Sequence, residues 1–300
     1  MLGLMAAGCS GQGSASSATP RTEHVADNRF TVTFSGAALQ AAQGAGINLP
    51  AVISHALEHI NALLPGPATT IAVGLAQPGT VIPQAGTFGA TGKSGQVTVS
   101  FRPTQQVGLG RAVEFWLPRA LSHEVDHSVR ILAGPGIGIT LLPQMIAEGI
   151  SSVFDEAAFP GPPNPWDRAI SPSQECTLWN IAQLDLQGGG LYDVWMFGSP
   201  GIPHWTGFTI GYDIVKDYRD RHPQVSWSAL TSTSAATILA GSGYRPCAQL
   251  QGQVEVGARG GGFEPDEQAG EGRLGHGQVD RAGPPGAGDP AGAVSPASLT

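Results

Sequence analysis

Residues 121–130 read LSHEVDHSVR, and within them His123-Glu124-Val125-Asp126-His127 forms an HExxH pattern. On a helix, positions i and i+4 share a face, so both imidazoles can reach one metal ion. Glu124 then points beside that ion, where a carboxylate can take a proton from a bound water. Two histidines on a solvated helix end would give the same letters by chance, so the setting has to decide. Ala120, Leu121, Val125, Val129, Ile131 and Leu132 give the stretch apolar surface on several sides. That predicts a helix buried nearly all round, with the site in a dry environment where electrostatics count for more. Downstream, QMIAEGISSVFDE places Glu148 on a second predicted helix as a candidate third ligand. A short Gly/Pro loop lets that helix fold back on the first, and Gly149 would let the two approach closely. Three protein ligands plus one water is the open coordination of a catalytic zinc, whereas a structural zinc site is closed by four. The expectation is one Zn2+ per chain, which the His₂Glu donor set suits best.

These pieces resemble a known class. HEVDH followed by AEG on a second helix is similar to the gluzincin metallopeptidases. More narrowly, the chain resembles a bacterial family of predicted zinc-dependent proteases, otherwise catalogued as a domain of unknown function. The matching segments are GATGKSGQVTVSFRP, LPRALSHEVDHSVR, LLPQMIAEGISSVFDEAAF and HWTGFTIGYDIVKDYRDRHP, across roughly residues 30–245. The resemblance implies a zincin-like fold, zinc on His123, His127 and Glu148, Glu124 as general base, and a peptide or protein substrate.

Attack on a peptide carbonyl creates an oxyanion, which a Tyr or His donor often helps to stabilise. Tyr212 (GFTIGYDIV) and His204 (GIPHWTGF) are the candidates; a packed helix aromatic is the competing reading of Tyr212. Arg130, one turn beyond His127, reads as a surface or structural ion pair. Among residues that could orient the imidazoles, Ser152 and Asp155 share the face of Glu148, while Asp126 is expected to face solvent. A rival pattern, His55-Ala56-Leu57-Glu58-His59, has the inverted zinc-peptidase spacing. It is rejected on facing: Ile53, Leu57, Ile60 and Leu64 form the buried side of that helix, leaving His55, Glu58 and His59 in water. Cys176 beside Glu175 has no basic partner nearby in sequence and is not read as a nucleophile.

The elements that must position these groups suggest an α+β chain. A small N-terminal sheet with helices comes from strands at 28–36, TTIAVGLA and GQVTVSFRP, with a helix over 49–64. A mostly helical part follows: Pro118 to about Leu132, Leu142 to Phe159, then 173–186, 209–221 and 228–240. In the 300-residue chain, 41% of residues are hydrophobic and only 13% charged, with Gly 43 and Pro 24. The formal net charge is −8. No basic footprint for nucleic acid is visible, and no apolar run reaches the length of a membrane helix.

The ends read differently. MLGLMAAGC, followed by small polar residues, resembles the end of a bacterial lipoprotein signal, with Cys9 the lipidated residue and residues 1–27 a truncated signal and tether. Residues 28–248 would form the metallopeptidase-like domain. Residues 249–300, rich in Gly and Pro, would form a disordered tail. With Cys9 set aside, Cys176 and Cys247 could pair in an oxidising compartment or remain as two semi-buried thiols. The resulting expectation is an extracytoplasmic, lipid-anchored, monomeric zinc peptidase. The alternatives are a non-catalytic surface lipoprotein that acts as a binding module, and a zinc amidase acting on cell-wall material.

Overall fold

The computed structural model describes residues 19–248. The stretch read as a lipoprotein signal, with Cys9, and the Gly/Pro-rich segment read as a tail lie outside the described residues. The N-terminal half carries five strands, β1 (Arg21–Val25), β2 (Phe30–Phe34), β3 (Thr69–Leu75), β4 (Thr87–Thr91) and β5 (Val97–Phe101). They form one mixed sheet in the order β1-β2-β3-β5-β4. The β2–β3 and β3–β5 pairs are parallel; β1–β2 and β4–β5 are antiparallel. Alternation drives the central strands. Phe30, Val32 and Phe34 are wholly buried, whereas Thr33 between them is exposed.

Helix α1 (Gly36–Gly44) is capped by Ser35, whose side chain accepts from the Ala38 amide. Helix α2 (Leu49–Leu63) is capped in the same way by Asn48. Ile53, Leu57, Ile60 and the following Leu64 dock α2 on the sheet, in one core with Phe30, Val99 and Phe101. His55, Glu58 and His59 stay exposed on its other side, as facing predicted.

After a short turn α3 (Leu109–Arg111) and a π-helical stretch over Ala112–Trp116, the chain enters α4 (Leu117–Ala133) and returns in α5 (Leu141–Ala158). Leu117, Leu121, Val125 and Val129 of α4 complete the sheet core. The first half of α5 joins a second core instead, through Leu141, Met145, Ile146 and Ile150. That second core is built with α6 (Pro172–Asp185), α7 (Tyr192–Met196), α8 (Thr206–Arg221), α9 (Trp227–Ser232) and α10 (Ala235–Ser242). The two helices therefore meet between two hydrophobic clusters, and every residue from Leu121 to Arg130 is buried.

Several expectations need correction. Strand β1 lies inside the segment read as a tether, because its pairing with β2 comes from backbone bonds that composition does not reveal. Strand β4 occupies the stretch between TTIAVGLA and GQVTVSFRP, for which no strand is expected. The single helix expected over 228–240 is two, because Thr233 is extended and Ser234 caps α10 by accepting from the Thr237 amide. Gly149 eases α8 rather than α4 against α5. A Cβ on Gly149 would lie 2.1 Å from the Gly211 carbonyl oxygen, and one on Gly211 would lie 2.0 Å from that of Met145. Backbone meets backbone at this crossing, so no side chain can move aside. Gly149→Ala is therefore expected to cost about 3 kcal/mol or more in a urea melt. A loss below about 1 kcal/mol would mean that the helices do not cross this closely.

Cys176 and Cys247 are joined by a disulfide across a sequence separation of 71. It fastens α6 to the end of the described chain. Loops this long rank among the more stabilising to close.

Candidate metal centre

Helix α4 brings the two imidazoles to one face, with ring centroids 4.8 Å apart. Its neighbour α5 runs back along it, so that Glu148 and Ser151 meet His127 while Asp155 meets His123. His123 Nε2 lies 3.1 Å from Glu148 Oε2, and His127 Nε2 lies 3.3 Å from the same oxygen. One ligand atom from each of the three residues lies within 4.8 Å of the others, and all three residues are buried. The group could hold a metal ion. Tetrahedral ligands about 2.0–2.1 Å from a zinc are about 3.3 Å apart, close to the two measured His–Glu separations.

The far nitrogens are engaged elsewhere, which fixes which nitrogen faces the centre. His123 Nδ1 addresses Asp155 Oδ2 at 3.4 Å. His127 Nδ1 is 3.2 Å from Ser151 Oγ, and that hydroxyl donates to Asp126 Oδ2 at 2.9 Å. Asp126, expected in solvent, is wholly buried and also accepts from the Thr231 hydroxyl at 2.5 Å. Arg130 is buried too. In place of the expected ion pair, its guanidinium donates to the carbonyls of Gly136, Thr231 and Thr233. Ser152 accepts from the Trp166 indole.

The electrostatics follow from burial and charge together. Burial alone would disfavour protonated His123, but Asp155 and Glu148 outweigh it and push its pKa well above the usual histidine range. Burial likewise opposes ionisation of Glu148, yet His127 and His123 hold its carboxyl well below the usual range.

Glu124 is buried beside the three donors, and its charge acts on both His123 and Tyr192. The Thr91 hydroxyl, on β4, lies 2.7 Å from Glu124 Oε2 and 2.9 Å from the Glu124 carbonyl oxygen. Gly89, two residues earlier on the same strand, leaves room for the carboxylate: a Cβ there would sit 2.5 Å from Oε1. Strand β4 thus shapes the pocket of Glu124.

Of the two candidate oxyanion donors, Tyr212 gives its hydroxyl to Glu156 Oε2 at 2.8 Å, with Arg168 stacked on its ring. His204 is exposed and donates through Nδ1 to the Phe197 carbonyl. Neither is bonded to the three donors. A different tyrosine is: Tyr192 donates to Glu148 Oε1 at 2.7 Å. Burial and the charge of Glu148 push its hydroxyl pKa well up, so it stays protonated. Nothing local in LYDVW marks Tyr192, which lies 44 residues from Glu148. In the rejected HxxEH pattern, His59 caps the Ala158 carbonyl at 3.0 Å.

An α+β body that seats a His₂Glu donor set between two helices defines a protein with a candidate mononuclear metal centre. The chain belongs to the family described as predicted Zn-dependent protease (DUF2268), whose model matches residues 49–240. That span includes every residue of the centre. No curated protein matches the chain, and no solved structure does.

Proposed function

We propose that this protein is a gluzincin-type zinc peptidase, with His123, His127 and Glu148 as metal ligands and Glu124 as general base. The observation that carries the reading is the spacing of the three donor atoms, 3.1 and 3.3 Å across the two His–Glu edges, beside a buried carboxylate. A zinc ion held there would acidify a water and polarise the carbonyl under attack. Glu124 takes the proton of the attacking water and delivers it to the leaving amine. Thr91 holds one oxygen of that carboxylate, which leaves the other to receive the proton. Tyr192, whose hydroxyl already reaches the donor set at Glu148 Oε1, takes the oxyanion role in preference to Tyr212 or His204.

The peptide substrate has a place to lie. Strand β4 is an edge of the sheet. Gly86 bonds to Arg102, and Gly92 to Gln96. Ladder alternation therefore turns the backbone groups of Gly89 and Thr91 outward. An extended peptide added there as a further strand passes directly beside Glu124. The disulfide supports an oxidising, extracytoplasmic location, in keeping with a lipid anchor at Cys9.

The test is hydrolysis of a quenched-peptide library by the purified full chain. Cleavage should stop on treatment with a zinc chelator and return on adding zinc. Cleavage that survives chelation, or cleavage of cell-wall fragments alone, would overturn the reading.

A further inference from the structure

Behind Asp155 lies a second buried layer that does not touch the metal donors. Asn164 sits in the segment after α5, just before a 3-10 turn over Pro165–Arg168. It is wholly buried, as are Asp155, Asp167 and Arg119, to within 1% exposure. Its side-chain Nδ2 donates to Asp155 Oδ1 at 2.9 Å and to Asp167 Oδ2 at 2.9 Å. Its Oδ1 accepts from Arg119 Nη1 at 3.0 Å. Its backbone amide donates to Glu156 Oε1 at 2.8 Å. Every polar atom of the side chain is used, and both amide protons are split between two carboxyl groups.

We propose that Asn164 is a positioning residue of the metal centre, fixing the Asp155 carboxylate on His123 Nδ1 and so aiming His123 Nε2 at the ion. The inference rests on the three-donor reading above. The chemistry explains the residue type. The position needs two donors for two carboxyl groups and one acceptor for a guanidinium. Aspartate cannot donate twice, and a hydrophobe would leave Asp155, Asp167 and Arg119 buried with a partner lost. Arg119 is itself anchored on the Phe159 and Pro162 carbonyls and packed on Phe115.

Outer partners of a metal-ligating histidine typically govern metal affinity by roughly 10–100-fold. The experiment measures the zinc dissociation constant of the full chain by competition with a fluorescent chelator, for wild type, Asn164→Ala and Asp167→Asn. Burial and neighbouring Asp155 push the Asp167 carboxyl well up. A neutral amide at 167 can accept the same bond, so Asp167→Asn should bind zinc like wild type. Asn164→Ala should weaken zinc roughly tenfold. In the cobalt-loaded protein it should also speed solvent exchange of the His123 Nδ1 proton, read by NMR, while that of His127 is unchanged. A purely structural role would lower the melting temperature and leave both readouts alone. Should Asn164→Ala fail to fold, Asn164→Ser, which retains one donor, carries the same comparison. Unchanged zinc affinity and His123 exchange in a folded variant would overturn the proposal. Absence of zinc binding by wild type would instead overturn the metal-centre reading on which it rests.

Discussion

Glu124→Gln is expected to keep one zinc per chain and to abolish peptide hydrolysis. Glutamine fills the same volume, which matters because Gly89 and Thr91 close around the side chain. Its amide oxygen can still accept from Thr91, so the fold and the three proposed ligands are left as they were. What disappears is the ability to take a proton from the attacking water. General-base catalysis contributes typically about 10²–10⁴-fold, and the carboxylate here is also the group that would return the proton to the leaving amine. The loss in kcat should therefore reach the upper part of that range or exceed it. Steady-state hydrolysis and metal analysis on the same sample provide the check. Turnover within tenfold of wild type, with zinc retained, would exclude Glu124 as the base.

Glu148→Ala should have the opposite signature, with metal content and activity lost together. Glu148 is the only carboxylate of the donor set, and both Nε2 atoms address its Oε2. Removing it deletes one of the three proposed ligands and leaves the Tyr192 hydroxyl without the partner it has at 2.7 Å. Zinc affinity should fall by well over the roughly 10–100-fold that an outer partner costs. Chelator competition measures the change directly. The fold should survive, because Ala is a good helix former and α5 is held by Met145, Ile146, Ile150 and Phe154 in the two cores.

How much of this could be read from the letters depends on distance along the chain. His123 and His127 are legible because i, i+4 is a local rule of the helix, and the same reasoning dismissed His55 and His59. Glu148 is legible because its helix follows at once and must pack on the first. Asp155 falls on the correct stripe of α5. Ser152, four residues from Glu148, falls on that stripe as well, yet it is Ser151, at three residues, that reaches His127 Nδ1.

The failures are long-range. Asp126 is an acidic residue on a helix, which argues for solvent, but it is buried and bonded by Thr231 of α9, 105 residues away. Thr91 and Gly89 sit in a Gly-rich stretch whose strand exists because β5 supplies backbone partners. Gly149 was correctly read as a point of close approach, but α8 rather than α4 comes to it, and only the tertiary path decides which.

The most direct test is metal analysis of the purified full chain combined with X-ray absorption at the zinc edge. The account predicts one zinc per chain, bound by two nitrogens and by oxygen at about 2.0–2.2 Å, with that first shell missing in Glu148→Ala. A chain that takes up no zinc, or a zinc ringed by sulfur at about 2.3 Å, would contradict it.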